Sequence, residues 1–388
     1  MSRKEIANLL KLTPAAITLI VNEMIEEGIL REVGESQGTR KVGRREVLID
    51  IHYQYKYVIG VSIGSDKVQL SMMNIKGKIL DSKTLDTKSH ESASEILDSV
   101  KKIIDGFLLE HKISRDMILG IGIGVIGIVD RDQGISKKAY GIWEGEVPIR
   151  TILEEKLHIP VIVDNNVIAL AKGEMFFGFE FETSNVLFVK YGPGIGSTVI
   201  IDNKIYRGSK GMSGEIGHTI VLPKGPSCTC GGKGCLEAVA SPKVIMDKVI
   251  KEFNENTMPI LYQLVDGDRN KIDYRQIMAA YTTNDFKIKS ILSEAVYYFA
   301  IGLFNAMKMY DPDLIILYGE VFEFKDFMDE LNLVLSNGCL DKSLKKIIKK
   351  SKFNNQLETL GPAAMVVNDF FKNGGVTRMR DYRNMRPL

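Results

Sequence analysis

The sequence predicts an α/β protein in which a small winged helix-turn-helix unit precedes a two-lobed body. Three observations carry that reading. Two helical stripes meet at a break, Leu12-Thr13-Pro14, close to the start of the chain. From Tyr57 the pattern changes to apolar strands separated by glycine turns, with amphipathic helical stretches at 93–109 and 288–309 between strand groups. Two segments, 58–80 with a turn at Gly64 and 186–206 with a turn at 192–196, share one strand, glycine turn, strand layout, as in a duplicated fold.

A length of 388 residues exceeds one ordinary core and implies two or three domains. Hydrophobic residues at 45% and charged residues at 26% supply enough apolar material for packed cores and argue against overall disorder. The net charge of +2 excludes a chain that coats nucleic acid along its whole length, so any DNA contact must be confined to a segment. No basic leader precedes an apolar run, and no stretch approaches the roughly 20 apolar residues of a membrane span. A soluble cytoplasmic protein without a membrane partner is expected.

In residues 1–52, Ile6, Leu9 and Leu10 form the first stripe, and Ile17, Ile20, Val21, Met24 and Ile25 the second. Thr13 is placed to cap the second helix, with Pro14 at its first position and Gly28 at its end. The outer face carries Ala15, Thr18, Leu19 and Asn22, groups small or polar enough to approach base edges in a major groove, with Thr13 at its head. Beyond it, 31–49 reads as two short strands around a loop bearing Arg40, Lys41, Arg44 and Arg45, suited to phosphates or a minor groove. The alternative is an amphipathic hairpin packed on the body, because 1–52 holds eight basic and eight acidic residues.

In the body, glycine turns such as 192–196 allow backbone N–H groups to approach phosphates, or serve only as tight turns. A sharper signal follows. Gly214-Glu215-Ile216-Gly217-His218 precedes Cys228, Cys230 and Cys235, three of the chain's four cysteines. One imidazole and three thiols suit tetrahedral Zn2+, and with all four ligands from protein the site is structural.

This cluster resembles the signature of the ROK family, named for its repressors, open reading frames and kinases. The likeness runs through the body at 57–372, with the zinc motif at 218–235, and takes in 120–127, 161–174 and 311–319. It implies an actin-like (sugar kinase/ribonuclease H-like) body of two lobes. Sugar hydroxyls would be held at Asn165, Asn166, Glu215, His218 and Glu237, with His218 also a zinc ligand beside Cys228, Cys230 and Cys235. Capping of a helix by Asn165 and Asn166, and surface ion pairing by Glu215 and Glu237, are the plainer roles.

Kinases of the family place an Asp where this chain has Asn166, and an amide cannot take a proton from a sugar hydroxyl. Losing a general base costs about 10²–10⁴ in rate. The DxGGT-like turn reads Ser62-Ile63-Gly64-Ser65-Asp66, and the adenine-side glycine pair reads Tyr318-Gly319-Glu320. A non-enzyme is expected, with residual kinase activity still open. With the helix-turn-helix, the resemblance implies a sugar-responsive regulator, a repressor, whose partners are operator DNA, a sugar or phosphosugar effector, and a second copy in a homodimer or homotetramer. An ATP-dependent hexose or aminosugar kinase and a DNA-free sugar-binding oligomer are the alternatives. Only Met1 to Lys4 precede the Ile6 stripe, so the winged domain is expected to lack the first helix of the family's regulators. The basic tail at 373–388 reads as disorder or an oligomer arm.

Overall fold

The computed structural model describes residues 1–35, 46–87, 92–178, 183–209, 211–337, 347–353 and 355–373. At the N-terminal end, α1 (Arg3–Leu10) opens on a capping box of Ser2 and Glu5. The next helix, α2 (Pro14–Glu26), begins at Thr13, whose hydroxyl accepts the Ala16 N–H at 3.3 Å. Strands β1 (Leu30–Glu35) and β2 (Val47–Ile51) pair antiparallel, with Leu30 opposite Ile51. Met1 exchanges hydrogen bonds with Ile49, which extends this sheet on its other side.

Ala7, Ile17, Val21 and Ile49 form the buried centre of this unit, with Ile6, Ile25, Leu30 and Val47 packed around them. The expected first stripe is only partly inward. Leu9 is 70% and Leu10 56% exposed, because α1 has eight residues and meets α2 and β2 on one face only. Ile51, Tyr53 and Tyr55 then pack against the body. The basic residues Arg40, Lys41, Arg44 and Arg45, and the tail from 374, lie outside the described residues.

The first lobe is a five-stranded sheet of β3 (Tyr57–Ile63), β4 (Lys67–Asn74), β5 (Ile79–Asp86), β6 (Ile118–Val125) and β9 (Val161–Asn165), ordered β5-β4-β3-β6-β9. Its connections carry α3 (Ala93–Glu110), a hairpin of β7 (Ile128–Asp130) and β8 (Ile135–Lys138), and α4 (Ile149–Leu157). After α5 (Asn166–Gly173) the second lobe repeats the plan. Its sheet of β10 (Val186–Tyr191), β11 (Ile195–Ile201), β12 (Lys204–Tyr206), β13 (Leu314–Tyr318) and β14 (Ile348–Lys350) is ordered β12-β11-β10-β13-β14. In each sheet the first three strands are antiparallel and the last two join in parallel, so the duplication expected from the glycine turns is present in the topology.

Helices α6 (Leu236–Ala240), α7 (Pro242–Glu252), α8 (Pro259–Leu264), α9 (Tyr274–Thr282), α10 (Phe286–Tyr310) and α11 (Lys325–Asn337) cover the second sheet. By length and composition α10 could span a membrane, contrary to the sequence reading. Its apolar side, with Ile288, Leu292, Val296, Phe299 and Leu303, is instead buried in the lobe's core.

The C-terminal helix α12 (Leu357–Lys372) lies with α5 between the sheets. Val58, Leu119 and Ile162 of the first sheet and Phe188, Ile200 and Ile316 of the second share one core with them. Close approach depends on two glycines. A Cβ on Gly60 would meet the Thr359 carbonyl oxygen at 1.9 Å, and one on Gly122 the Pro362 oxygen at 1.8 Å. The glycines of β3 and β6 therefore serve helix packing rather than a ligand.

Candidate sugar and metal site

A short 3-10 helix, Ile216–His218, follows Glu215 and ends on the imidazole. The chain then folds into a knuckle in which the Cys228 N–H donates to the Gly232 oxygen at 2.9 Å and the Gly231 N–H to the Cys228 oxygen at 3.0 Å. Gly234, at φ +69°, has the Leu222 oxygen 1.8 Å from where a Cβ would stand, so a side chain there would break the knuckle. One ligand atom from each of His218, Cys228, Cys230 and Cys235 falls within 4.8 Å of all the others.

A tetrahedral zinc with bonds of about 2.3 Å to sulfur and 2.0 Å to nitrogen requires edges of about 3.8 Å between sulfurs and 3.5 Å between sulfur and nitrogen. Cys230 and Cys235 lie 3.7 Å apart, and Cys228 Sγ is 3.6 Å from His218 Nδ1. Burial, together with the neighbouring thiols, pushes Cys235 up to about 12. Such crowding is relieved by a cation among the sulfurs. The donor set fits a metal ion.

The knuckle positions three of the residues expected to hold a sugar. His218 turns its Nε2 toward Glu215 Oε2, 4.0 Å away, while its Nδ1 faces Cys228. Burial lifts the Glu215 carboxyl above the usual range, with His218 opposing and Glu237 adding to the rise. Cys235 immediately precedes α6, whose first turn carries Glu237. That carboxylate accepts the Ile195 N–H at 2.9 Å, inside the 192–196 turn. The turn thus presents an amide to an internal carboxylate, a partner that the glycine pattern alone did not name.

In the first lobe, Asn165 ends β9 and caps α5. Its Oδ1 accepts the N–H groups of Val167 and Ile168 at 2.8 and 3.3 Å, and its Nδ2 donates to the Gly127 oxygen at 2.8 Å. Capping is therefore its evident work. Asn166 is nearly buried, and its carboxamide makes no hydrogen bond to the described residues. Tyr140, after β8, was missed by sequence reasoning. Its hydroxyl is held above the ordinary range by burial, then by Glu215, Cys230 and Glu237, groups of the opposite lobe.

Two buried charge clusters also escaped the sequence. Asp164 binds Arg207 at 3.1 and 2.6 Å, with Arg131 at 3.6 Å and Lys172 at 3.7 Å; burial lowers Lys172 to about 8 against the pull of Asp164. Glu358 accepts from Ser62 Oγ at 3.0 Å, Lys190 Nζ at 3.0 Å and the Tyr318 hydroxyl at 3.2 Å. Ser62, Lys190 and Tyr318 are far apart in sequence, so no local pattern marks them.

In the N-terminal unit, Ala15, Thr18, Leu19 and Asn22 lie on the exposed side of α2. Thr13 is committed to the cap, and Thr18 donates its hydroxyl to the Pro14 oxygen at 2.8 Å. Asn22 Oδ1 accepts from the Arg3 guanidinium at 3.0 Å, which also reaches Glu32 at 3.1 Å.

The chain is 29% identical to the xylose repressor of Caldicellulosiruptor bescii over 95% of its own length and 92% of that protein's. Among solved structures, a ROK family transcriptional regulator described as a homologue of the E. coli MLC protein superposes with a TM-score of 0.78 at 22% identity, covering 96% of this chain and 92% of the other. The Streptomyces griseus ROK glucokinase in complex with glucose and AMPPNP superposes with a TM-score of 0.69 at 26% identity, covering 80% of this chain and 98% of the kinase. The ROK family model matches residues 58–369, taking in both lobes and the cysteine knuckle, and the chain belongs to the ROK family.

Proposed function

We propose that this protein is a sugar-responsive transcriptional repressor of the cytoplasm, binding operator DNA through residues 1–52 and a sugar or phosphosugar through the body at 57–372. The observation that carries the reading is the extent of the likenesses. The repressor and the regulator match this chain over 95% and 96% of its length, whereas the kinase is used up by 80% of it. The kinase, nearly all of which is matched, leaves about a fifth of this chain without a counterpart.

In this reading Zn2+ is structural, held by His218, Cys228, Cys230 and Cys235, and supplies rigidity rather than chemistry. Asn165, Asn166, Glu215, His218 and Glu237 meet the sugar hydroxyls, each able to serve more than one. The body does not turn over substrate, since Asn166 offers no base and Ser62 no carboxylate. Ala15, Thr18 and Asn22, at the head of which stands Thr13, face the major groove, and Arg40, Lys41, Arg44 and Arg45 meet the backbone. A homodimer or homotetramer would present two reading heads to two half-sites.

The test is a gel shift with the DNA upstream of the protein's own gene, at several salt concentrations, with and without a panel of sugars and sugar phosphates. A salt-dependent shift that one sugar alters supports the repressor. Absence of any shift, together with ATP-dependent phosphorylation of a panel sugar, replaces it with the kinase.

A further inference from the structure

Three strands end next to one carboxylate. Ser62 precedes the Gly64 turn at the end of β3, Lys190 precedes the 192–196 turn at the end of β10, and Tyr318 precedes Gly319 at the end of β13. Glycine turns let backbone N–H groups come close enough to bind phosphates, and two of these three turns link antiparallel strands, β3 to β4 and β10 to β11. Here their approach is filled from within. Glu358, in the first turn of α12, takes the ammonium of Lys190 and the hydroxyls of Ser62 and Tyr318. We infer that Glu358 is a built-in anion that fills the phosphate end of the interlobe cleft and clamps the two lobes together where a nucleotide would otherwise bridge them.

The geometry spans the cleft. Ser62 belongs to the first sheet, and Thr359, next to Glu358, donates its hydroxyl to Ser71 of that sheet at 3.0 Å. Lys190 and Tyr318 belong to the second sheet. The side chains of Lys190 and Glu358 are each only 15% exposed, so the pair is shielded from salt and water. Burial disfavours the charged carboxylate, but Lys190, Ser62 and Tyr318 more than offset it and hold it below its usual range. The second glycine turn is likewise occupied, its Ile195 N–H given to Glu237. A nucleotide phosphate entering the cleft would have to displace a paired, buried carboxylate of its own sign.

The clamp needs neither sugar nor DNA, so its test is independent of the repressor reading. Amide hydrogen exchange is measured on the full chain for the wild type, for the charge-neutral Lys190→Met/Glu358→Gln pair, and for Ser62→Ala. The neutral pair is expected to keep the fold, because both buried charges leave together and no unpaired charge remains. Exchange is expected to rise by about tenfold at 58–64 and at 186–192 alike, the loss of one charge-assisted hydrogen bond across the cleft. Ser62→Ala, a milder change, is expected to raise exchange at 186–192 in the opposite lobe. Magnesium AMPPNP is expected to leave the wild-type melting temperature unchanged. Unaltered exchange at 186–192 in the folded variants would overturn the clamp, and so would stabilisation of the wild type by magnesium AMPPNP.

Discussion

Glu215 and His218 face each other at 4.0 Å across the Nε2 side of a ring whose Nδ1 looks into three thiols. One imidazole thus couples the metal knuckle to the carboxylate expected to meet the sugar. Replacing Cys230 and Cys235 with Ser is expected to reduce bound zinc from one equivalent to none by elemental analysis. The melting temperature should fall, and affinity for the effector sugar should weaken by about 10–100-fold, the scale on which loss of groups around a metal acts on metal affinity or activity. Unchanged sugar affinity in the zinc-free variant would separate the two roles proposed for His218.

Asn166→Asp, which places a carboxylate there, tests the proposal that the body does not turn over substrate. A general base is worth about 10²–10⁴ in rate, but Ser62 and Glu358 would still stand at the phosphate end. The substitution alone is expected to give no ATP-dependent turnover above background in a coupled assay across a hexose panel. Measurable turnover would make Asn166 the sole lesion.

The Glu358 carboxyl sits below its usual range in the folded protein. A group with a depressed folded pKa contributes stability above its unfolded value, and that contribution fades as pH falls through the folded value. The wild type should therefore lose stability relative to the Lys190→Met/Glu358→Gln pair as pH drops below about 4. Melting curves over an acid series check this, and parallel curves for the two proteins would contradict it.

Substituting Gly122 with Val would drive a side chain into the Pro362 carbonyl, 1.8 Å from its Cβ. Since backbone cannot yield as a flexible side chain does, the cost should exceed the usual overpacking range of about 1–3 kcal/mol. Insoluble or unfolded protein by circular dichroism is the expected result.

What the sequence made legible depended on how local each signal was. The knuckle could be read because its four ligands fall in one short stretch with glycines at the tight turns, and the duplicated lobes because each repeats a strand, glycine turn, strand order. Glu358 could not, since Ser62, Lys190 and Tyr318 reach it from three different strands. Asn165 carried two readings at once, and the structure assigns its Oδ1 to the helix cap. No sequence pattern marked Arg3, which donates to the Asn22 oxygen on the exposed side of α2. Leu9 and Leu10 misled because apolar spacing in so short a helix does not say which side has a neighbour.

Binding to DNA and to sugar must influence each other by the same factor if both act through one pair of lobe arrangements. The most direct measurement is a reciprocal titration: DNA affinity by fluorescence anisotropy with and without the sugar found in the panel, and sugar affinity by calorimetry with and without that DNA. The repressor account expects both affinities to change by an equal factor, about 5–150-fold. Sugar binding of the same strength in the presence and absence of tightly bound DNA would contradict it.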